Sequence, residues 1–495
     1  MTTTRRLRIP SPPDAALTQG IADIKREQAL PLAFPADVEA AAAQAASAPR
    51  MPELDRTDIA FVTIDPPDAM DLDQALYVEQ RDDGYRVYYA IADVAAFVEP
   101  GGAIDIEAHR RGETLYGADA KIPLHPRVLS EAAASLLPDQ VRPALLWTID
   151  LDATGEGTTV DVRRARVRSR AKLDYAGVQA RIDAGHAEPM WAVLREIGEL
   201  RKQRERRRGG ISLGLPEQEI RSEQGRWTLE FRGRHPIEDW NEQISLLTGM
   251  AAAHLMVQAK TGILRTLPKP EPWAIERLRR TAKGLGIAWP AAMSYPDFIR
   301  SLDPAQPRHV AMMVACTTVL RGAGYVAFDG TLPAQPMHWP LASEYAHATA
   351  PLRRLVDRYV GETCVALCAG AAVPAWVRAA LPALPATMQA ASQRANRFER
   401  AVLDLAEAVT LAARVGDTFE GAIVELRRDD PAQGVVVLRD PAIEAAVSSA
   451  GTLPLGHDVK VRLVEADPAR RVTRFQLVGV DAGADAGVGT AAAAS

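Results

Sequence analysis

Four aspartates, Asp65, Asp68, Asp71 and Asp73, crowd a short segment between two apolar runs, Ile59 to Ile64 before it and Ala75 onward after it. Runs of that kind must enter a core, so the carboxylates are carried to its edge. There they repel one another and resist losing water unless a cation sits among them. Hard oxygen ligands suit Mg²⁺ or Mn²⁺ rather than zinc. Read from spacing alone, the segment is either a divalent-metal site or an acidic loop joining two strands.

A chain of 495 residues has room for one large domain and one or two small ones, and its 47% hydrophobic and 24% charged content is that of a soluble protein. The formal net charge of -5 gives no overall electrostatic case for nucleic acid, so any such case rests on local patches. The three cysteines, Cys316, Cys364 and Cys368, make no disulfide framework and fit a reducing cytoplasm. The nine histidines include no HExxH pair, which argues against a zinc hydrolase. No apolar run reaches the roughly eighteen residues of a membrane span. Met1 to Pro13 carries Arg5, Arg6 and Arg8 without an apolar stretch after them, so it does not read as a secretory signal.

Helical spacing is expected over Asp14 to Gln28 and Ala36 to Ala46, forming either a small helix-turn-helix-like unit or a linker. Strands follow from Ile59. Ala75 to Val78 and Tyr85 to Ile91 flank the turn Asp82-Asp83-Gly84, and Leu145 to Leu151 with Thr159 to Val167 make a further pair. Beyond about Ala171 helices dominate, up to a break at Gly416-Asp417 that opens a short-strand segment. Asp481 to Ser495 is Ala/Gly-rich and reads as a tail without a core. Two basic runs stand out, Arg163 to Lys172 and Arg201 to Arg208. In a strand, Arg164, Arg166, Arg168 and Arg170 project from one side, as a phosphate track or as a solvated face.

With these features in hand, the sequence resembles the ribonuclease II family of 3′-to-5′ exoribonucleases. Asp65 to Leu76 is similar to the family's aspartate-rich signature, and Ala90-Ile91-Ala92-Asp93-Val94 to its next strand motif. Lys121-Ile122-Pro123-Leu124-His125-Pro126 matches a family loop, and Thr349-Ala350-Pro351-Leu352-Arg353-Arg354 with Asp357 matches its Thr-Ser-Pro-Ile-Arg-Arg motif. The resemblance implies an α+β chain: a small helical segment over 1–50, a mixed α/β RNB catalytic domain over 51–415, an S1-type OB-fold barrel over 416–480, and the tail 481–495. It implies a cytoplasmic, monomeric enzyme that threads the 3′ end of single-stranded RNA into a channel and releases nucleoside 5′-monophosphates.

By the same resemblance Asp65, Asp71 and Asp73 occupy the metal positions, with Mg²⁺ as the ion and Mn²⁺ as an alternative. Gln74 stands where the family pattern has a fourth aspartate, so the site is one charge short; Gln74 ligates directly, Asp68 stands in, or activity is reduced. Arg353 is assigned to the scissile phosphate, Glu399 to the neighbourhood of the terminal nucleotide, and Tyr116 to stacking on the last base. Leu213 takes the opposite side of that base, Tyr175 and Glu242 the ribose hydroxyls, and Arg354 is counted among the RNA-binding residues. The S1-like segment has only Phe419 and Phe475 as aromatics and is expected to grip RNA through its backbone, with Arg427 and Arg428 as candidates. The rival reading is an RNA-binding protein of the same fold that has lost catalysis through Gln74.

Overall fold

A computed structural model describes residues 15–117, 119–212, 217–223, 226–232, 234–320, 322–438 and 443–480. Five strands close a first barrel: Phe61–Ile64, Gln74–Arg81, Gly84–Ala92, Val141–Asp152 and Gly157–Leu173. The second and third form the expected hairpin, with Arg81 opposite Gly84. Glycine is required at that corner, because a β-carbon on Gly84 would stand 1.9 Å from the Leu151 carbonyl oxygen of the next strand. Closure comes from parallel pairing of the first and last strands, Val62 with Ala171 and Ile64 with Leu173.

Strand alternation splits the barrel residues between two cores. Val87, Tyr89, Ile91 and Trp147 pack with helices Pro189–Arg208, Pro236–Ala259 and Leu355–Cys368. Phe61, Leu72, Ala90 and Ala165 pack with Val38 and Ala42 of helix Ala36–Ser47. The other early helix, Ala15–Glu27, sends Leu17, Ile21 and Ile24 into a third core shared with Phe398, Val402 and Leu405 of the long helix Leu384–Leu411. The two N-terminal helices thus serve separate cores within the body of the molecule.

A second closed barrel follows the Gly416 break, built from Thr418–Leu426, Gln433–Leu438, Glu444–Ser448, Asp458–Asp467 and Val472–Val480. Its residues Val424, Val435 and Val437 pack against Leu278, Leu285 and Met312 of the preceding helices. Among the additions to the pattern expected from sequence are two short sheets, Thr261–Thr266 with Gly324–Asp329, and Glu217–Glu223 with Arg226–Arg232. The first is a six-residue strand that starts after Lys260, at φ 54, and pairs with a segment some sixty residues away, so local periodicity does not announce it.

The row of arginines on strand Gly157–Leu173 does alternate with buried Ala165, Val167 and Ser169. Its charges, however, meet the protein's own oxygens. Arg164 bonds Asp93 at 2.9 Å and Glu362, Arg166 pairs with Asp55 at 3.2 Å, Arg170 donates to the Thr57 carbonyl at 3.1 Å, and Lys172 to that of Pro67 at 2.7 Å. Arg164, Arg166, Arg170 and Lys172 thus fasten the segment leading into the aspartate loop, and these four charges are committed within the protein. In the second run Arg201, 3% exposed, donates to the Gly155 carbonyl at 2.9 Å, and burial draws its guanidinium down to about 10. Arg204 pairs with Glu156 on the same turn.

Candidate active site

The aspartate loop is pinned at Leu72, which is 0% exposed. Its N–H donates to Ser135 Oγ at 2.9 Å, its carbonyl accepts from Leu136 at 3.0 Å, and Ser135 Oγ donates to the Met70 carbonyl at 2.6 Å. Fixing Leu72 inward sets the carboxylates on either side of it. The Asp73 carbonyl is held in turn by the Ala92 N–H at 2.9 Å, next to the start of strand Gln74–Arg81.

Facing this loop is the turn Ala350 to Arg354, ahead of helix Leu355–Cys368. Asp357, 1% exposed, holds that turn by accepting from the Ala350 N–H at 2.7 Å and binding Arg354 through two bonds of 2.9 and 2.8 Å. Arg354 is therefore committed to the turn, although 26% of its side chain stays exposed. The turn aims its next donors at Asp73: the Leu352 N–H and Arg353 Nε each lie 2.7 Å from one carboxylate oxygen. The anion gathered by these donors is the protein's own Asp73. Burial raises the Asp73 carboxyl to about 7, the Arg353 charge opposes that shift, and the Asp71 charge adds to it.

Arg353 is the common neighbour of the site. Burial works against its charge, but the charges of Tyr116, Asp73, Asp71 and Asp65 outweigh it and hold the guanidinium ionised. Asp71 is taken by a second cation, Lys121, whose Nζ is 2.7 Å from Asp71 and 3.0 Å from Glu131. These two carboxylates keep Lys121 above its ordinary value in spite of its burial. Lys121 and Tyr116 sit directly opposite each other in a small hairpin, Leu115–Tyr116 with Lys121–Ile122.

Gln74 is engaged at both ends. Its Nε2 donates to the Thr349 carbonyl at 2.6 Å, and its Oε1 accepts from the Tyr89 hydroxyl at 2.6 Å. To reach an ion, the amide would have to share or give up the Tyr89 hydroxyl. Tyr175 opens helix Tyr175–Asp183, lies beside Tyr89, and accepts from Asn241 Nδ2 at 3.3 Å. The next residue, Glu242, pairs with Arg234 at 2.8 Å, and burial raises its carboxyl against that arginine's pull. Glu399 is half-buried on the long helix, next to Phe398, whose ring would lie 3.2 Å from a β-carbon at Gly117. Leu213 falls outside the described residues.

The oxygen donors fit a hard divalent cation by their chemistry, since Asp65, Asp71 and Asp73 are carboxylates whose charges all act on the Arg353 guanidinium. Among the described residues no three acidic, histidine or cysteine side chains are already gathered for a metal. Asp73 is bonded to Arg353 and Asp71 to Lys121. Sequence reading quoted Lys121 and Thr349 only as parts of motifs, and it missed Glu131, Ser135 and Tyr89 altogether. A lysine leading the apolar stretch Ile122-Pro123-Leu124 was the available signal. In the second barrel, Phe419 and Phe475 are 4% and 1% exposed and pack on each other, so neither offers a face to a base. Arg427 lies on its surface, bonded to Asp429 at 3.2 Å.

The RNB domain model matches residues 54–368. The chain belongs to the RNB domain family. The model for the RNase II-type exonuclease C-terminal S1 domain matches residues 417–478, the second barrel. Among RNB relatives, ribonuclease R of Escherichia coli strain K12 is 31% identical over 320 residues, covering 61% of this chain and 39% of that protein. The human exosome complex exonuclease RRP44 is 28% identical over 321 residues, covering 61% and 33%. The chain thus spans well under half the length of either. Among solved structures, Mycoplasma genitalium RNase R in complex with ribose-methylated single-stranded RNA aligns at TM-score 0.83 and 20% identity, over 94% of this chain and 78% of that one. Yeast Ssd1, described as a pseudonuclease, aligns at 0.66 and 15%, over 90% and 57%. Among the described residues of this RNB chain, no helix is long and apolar enough to cross a membrane.

Proposed function

We propose that this RNB protein is a 3′-to-5′ exoribonuclease that hydrolyses single-stranded RNA processively to nucleoside 5′-monophosphates. The supporting observation is the single guanidinium of Arg353, bonded to buried Asp73 and held ionised also by the charges of Asp71, Asp65 and Tyr116. Asp65, Asp71 and Asp73 would hold Mg²⁺, or Mn²⁺ in its place, which acidifies an attacking water and takes up charge on the leaving 3′-oxygen. Arg353 offers its remaining N–H groups to the scissile phosphate, where charge-assisted bonds count most in a water-poor site. Tyr116 presents a ring to the terminal base, an interaction indifferent to sequence. Glu399 stands by that nucleotide from the long helix. Tyr175 and Glu242 read ribose hydroxyls, Arg354 steadies the turn beside the RNA backbone, and the second barrel binds RNA through surface arginines. A reducing, cytoplasmic location accords with three cysteines that are all unpaired.

The second reading, an RNA-binding protein without catalysis, draws on Gln74, whose amide is used inside the protein in place of a fourth carboxylate. Incubating the purified chain with 3′-labelled single-stranded RNA separates the two. Mononucleotide release with Mg²⁺, stopped by EDTA, is the expected result; tight binding without release would favour the second reading.

A further inference from the structure

Tyr116 and Lys121 are presented by a hairpin of two residues on each strand, too small to hold its own shape. Its support comes from the N-terminal helix Ala15–Glu27. The hairpin's inward residues, Leu115 and Ile122, are 2% and 5% exposed and share a core with Leu17, Ile21 and Ile24 of that helix. The hairpin turn carries Asp119, and Lys25 Nζ reaches both its carboxylate oxygens, at 2.9 and 2.7 Å. The lysine side chain is 11% exposed and that of Asp119 27%, so the pair is shielded from water chiefly on the lysine side.

The helix is itself anchored away from the hairpin. Gly20 lies against Leu405 so closely that a β-carbon would come within 2.5 Å of its side chain, and Gln28 Nε2 donates to the Arg397 carbonyl at 3.3 Å. Glu27 binds Arg471 of the second barrel through both oxygens at 2.7 Å. A fixed helix that grips the tip of a weak hairpin transmits its own position to the residues at the hairpin's base.

We propose that the N-terminal helix is a positioning element of the nuclease site, in which the Lys25–Asp119 pair sets where Tyr116 and Lys121 stand. The inference rests on the exoribonuclease reading for what those two residues do. Lys25 touches neither RNA nor the reacting atoms; it acts through the turn. Loss of the pair loosens the grip on the terminal nucleotide more than it slows the chemistry.

The test uses the full chain and a short oligoadenylate, with kcat and KM measured separately. In parallel, the same oligonucleotide with 2-aminopurine as its 3′-terminal base is bound in EDTA and its fluorescence followed. Lys25→Ala is expected to raise KM about fivefold at unchanged kcat and to weaken 2-aminopurine stacking by a similar factor. The reversed pair, Lys25→Asp with Asp119→Lys, restores both, and Arg26→Ala, which removes only an exposed pair with Asp23 on the same helix, leaves both alone. A purely structural role would lower the folded fraction, hence apparent kcat, with KM unmoved; that outcome, or wild-type values in Lys25→Ala, overturns the inference. A wild-type chain that binds without cleaving overturns the nuclease reading, and the fluorescence arm still decides the tether. A chain that neither binds nor cleaves overturns both.

Discussion

Taking a carboxylate as far out of water as Asp73, at 2% exposure, costs several kcal/mol unless donors replace the solvent. Here the Leu352 N–H and the Arg353 guanidinium do so. Asp73→Asn keeps an oxygen for the Leu352 N–H but leaves Arg353 without its charge partner. RNA shortening should fall at least about 100-fold while the protein still melts cooperatively. Mononucleotide release and a thermal melt check this, and full-speed shortening by the variant would remove the basis of the proposed function. Gln74 behaves differently because it donates as well as accepts. Gln74→Asp puts a carboxylate where the Thr349 carbonyl now receives a donor, and should cost about 1–3 kcal/mol without divalent metal. Adding Mg²⁺ should return part of that loss to the variant, since binding to the folded state stabilises it. Melting temperatures with Mg²⁺ and with EDTA measure both effects.

At the scale of elements, the helix that follows the Arg353 turn is fastened to helix Ala103–Arg111 by a buried ionic contact. Arg358 Nη1 lies 2.6 Å from Asp105, which also accepts from the Gly101 N–H at 2.7 Å. Burial pushes the Asp105 carboxyl up, but the hydrogen bond with His109, the Arg358 charge and the Gly101 amide outweigh it and leave it well below the usual range. His109 is raised in return, chiefly by Asp105. The two shifts act at opposite ends of the pH scale. Asp105, depressed in the folded state, contributes stability present above its unfolded value of about 3.9 and lost as pH falls. His109, raised in the folded state, contributes stability present below about 6.5 and lost as pH climbs through its folded value. The difference in melting temperature between the wild type and Asp105→Asn should therefore be largest between about pH 4 and about pH 6.5, at a cost near 3 kcal/mol. A difference that does not vary with pH would show that the pair carries no such linkage.

For the molecule as a whole, the two barrels share cores with the helices between them. Val424, Val435 and Val437 of the second barrel meet Leu278, Leu285 and Met312, while Phe419 and Ile423 join Leu17, Phe398 and Leu405. The chain should unfold calorimetrically in one transition, and ending it after Val415 should lower the melting temperature and promote aggregation by uncovering those apolar faces. Two separate transitions would mean the barrel is an independent unit. Strands of the first barrel were legible beforehand, because their alternation and the Asp82-Asp83-Gly84 turn are local signals that backbone sterics enforce, but its closure by the parallel pair Val62 with Ala171 was not, and the second barrel was expected only from the family resemblance. The short sheet of Thr261–Thr266 with Gly324–Asp329 was not, since its pairing is distant in sequence. At the site, the sequence by itself determined which residue types are available: clustered aspartates, an arginine after a proline turn, and a tyrosine before a short loop. Tertiary structure alone decided their partners. Arg353 on Asp73, Lys121 on Asp71, Gln74 between Thr349 and Tyr89, and Lys25 on Asp119 are ion pairs and hydrogen bonds that act over a few ångströms. Whether two groups far apart in the chain come that close is settled by packing, which no local pattern of residues encodes.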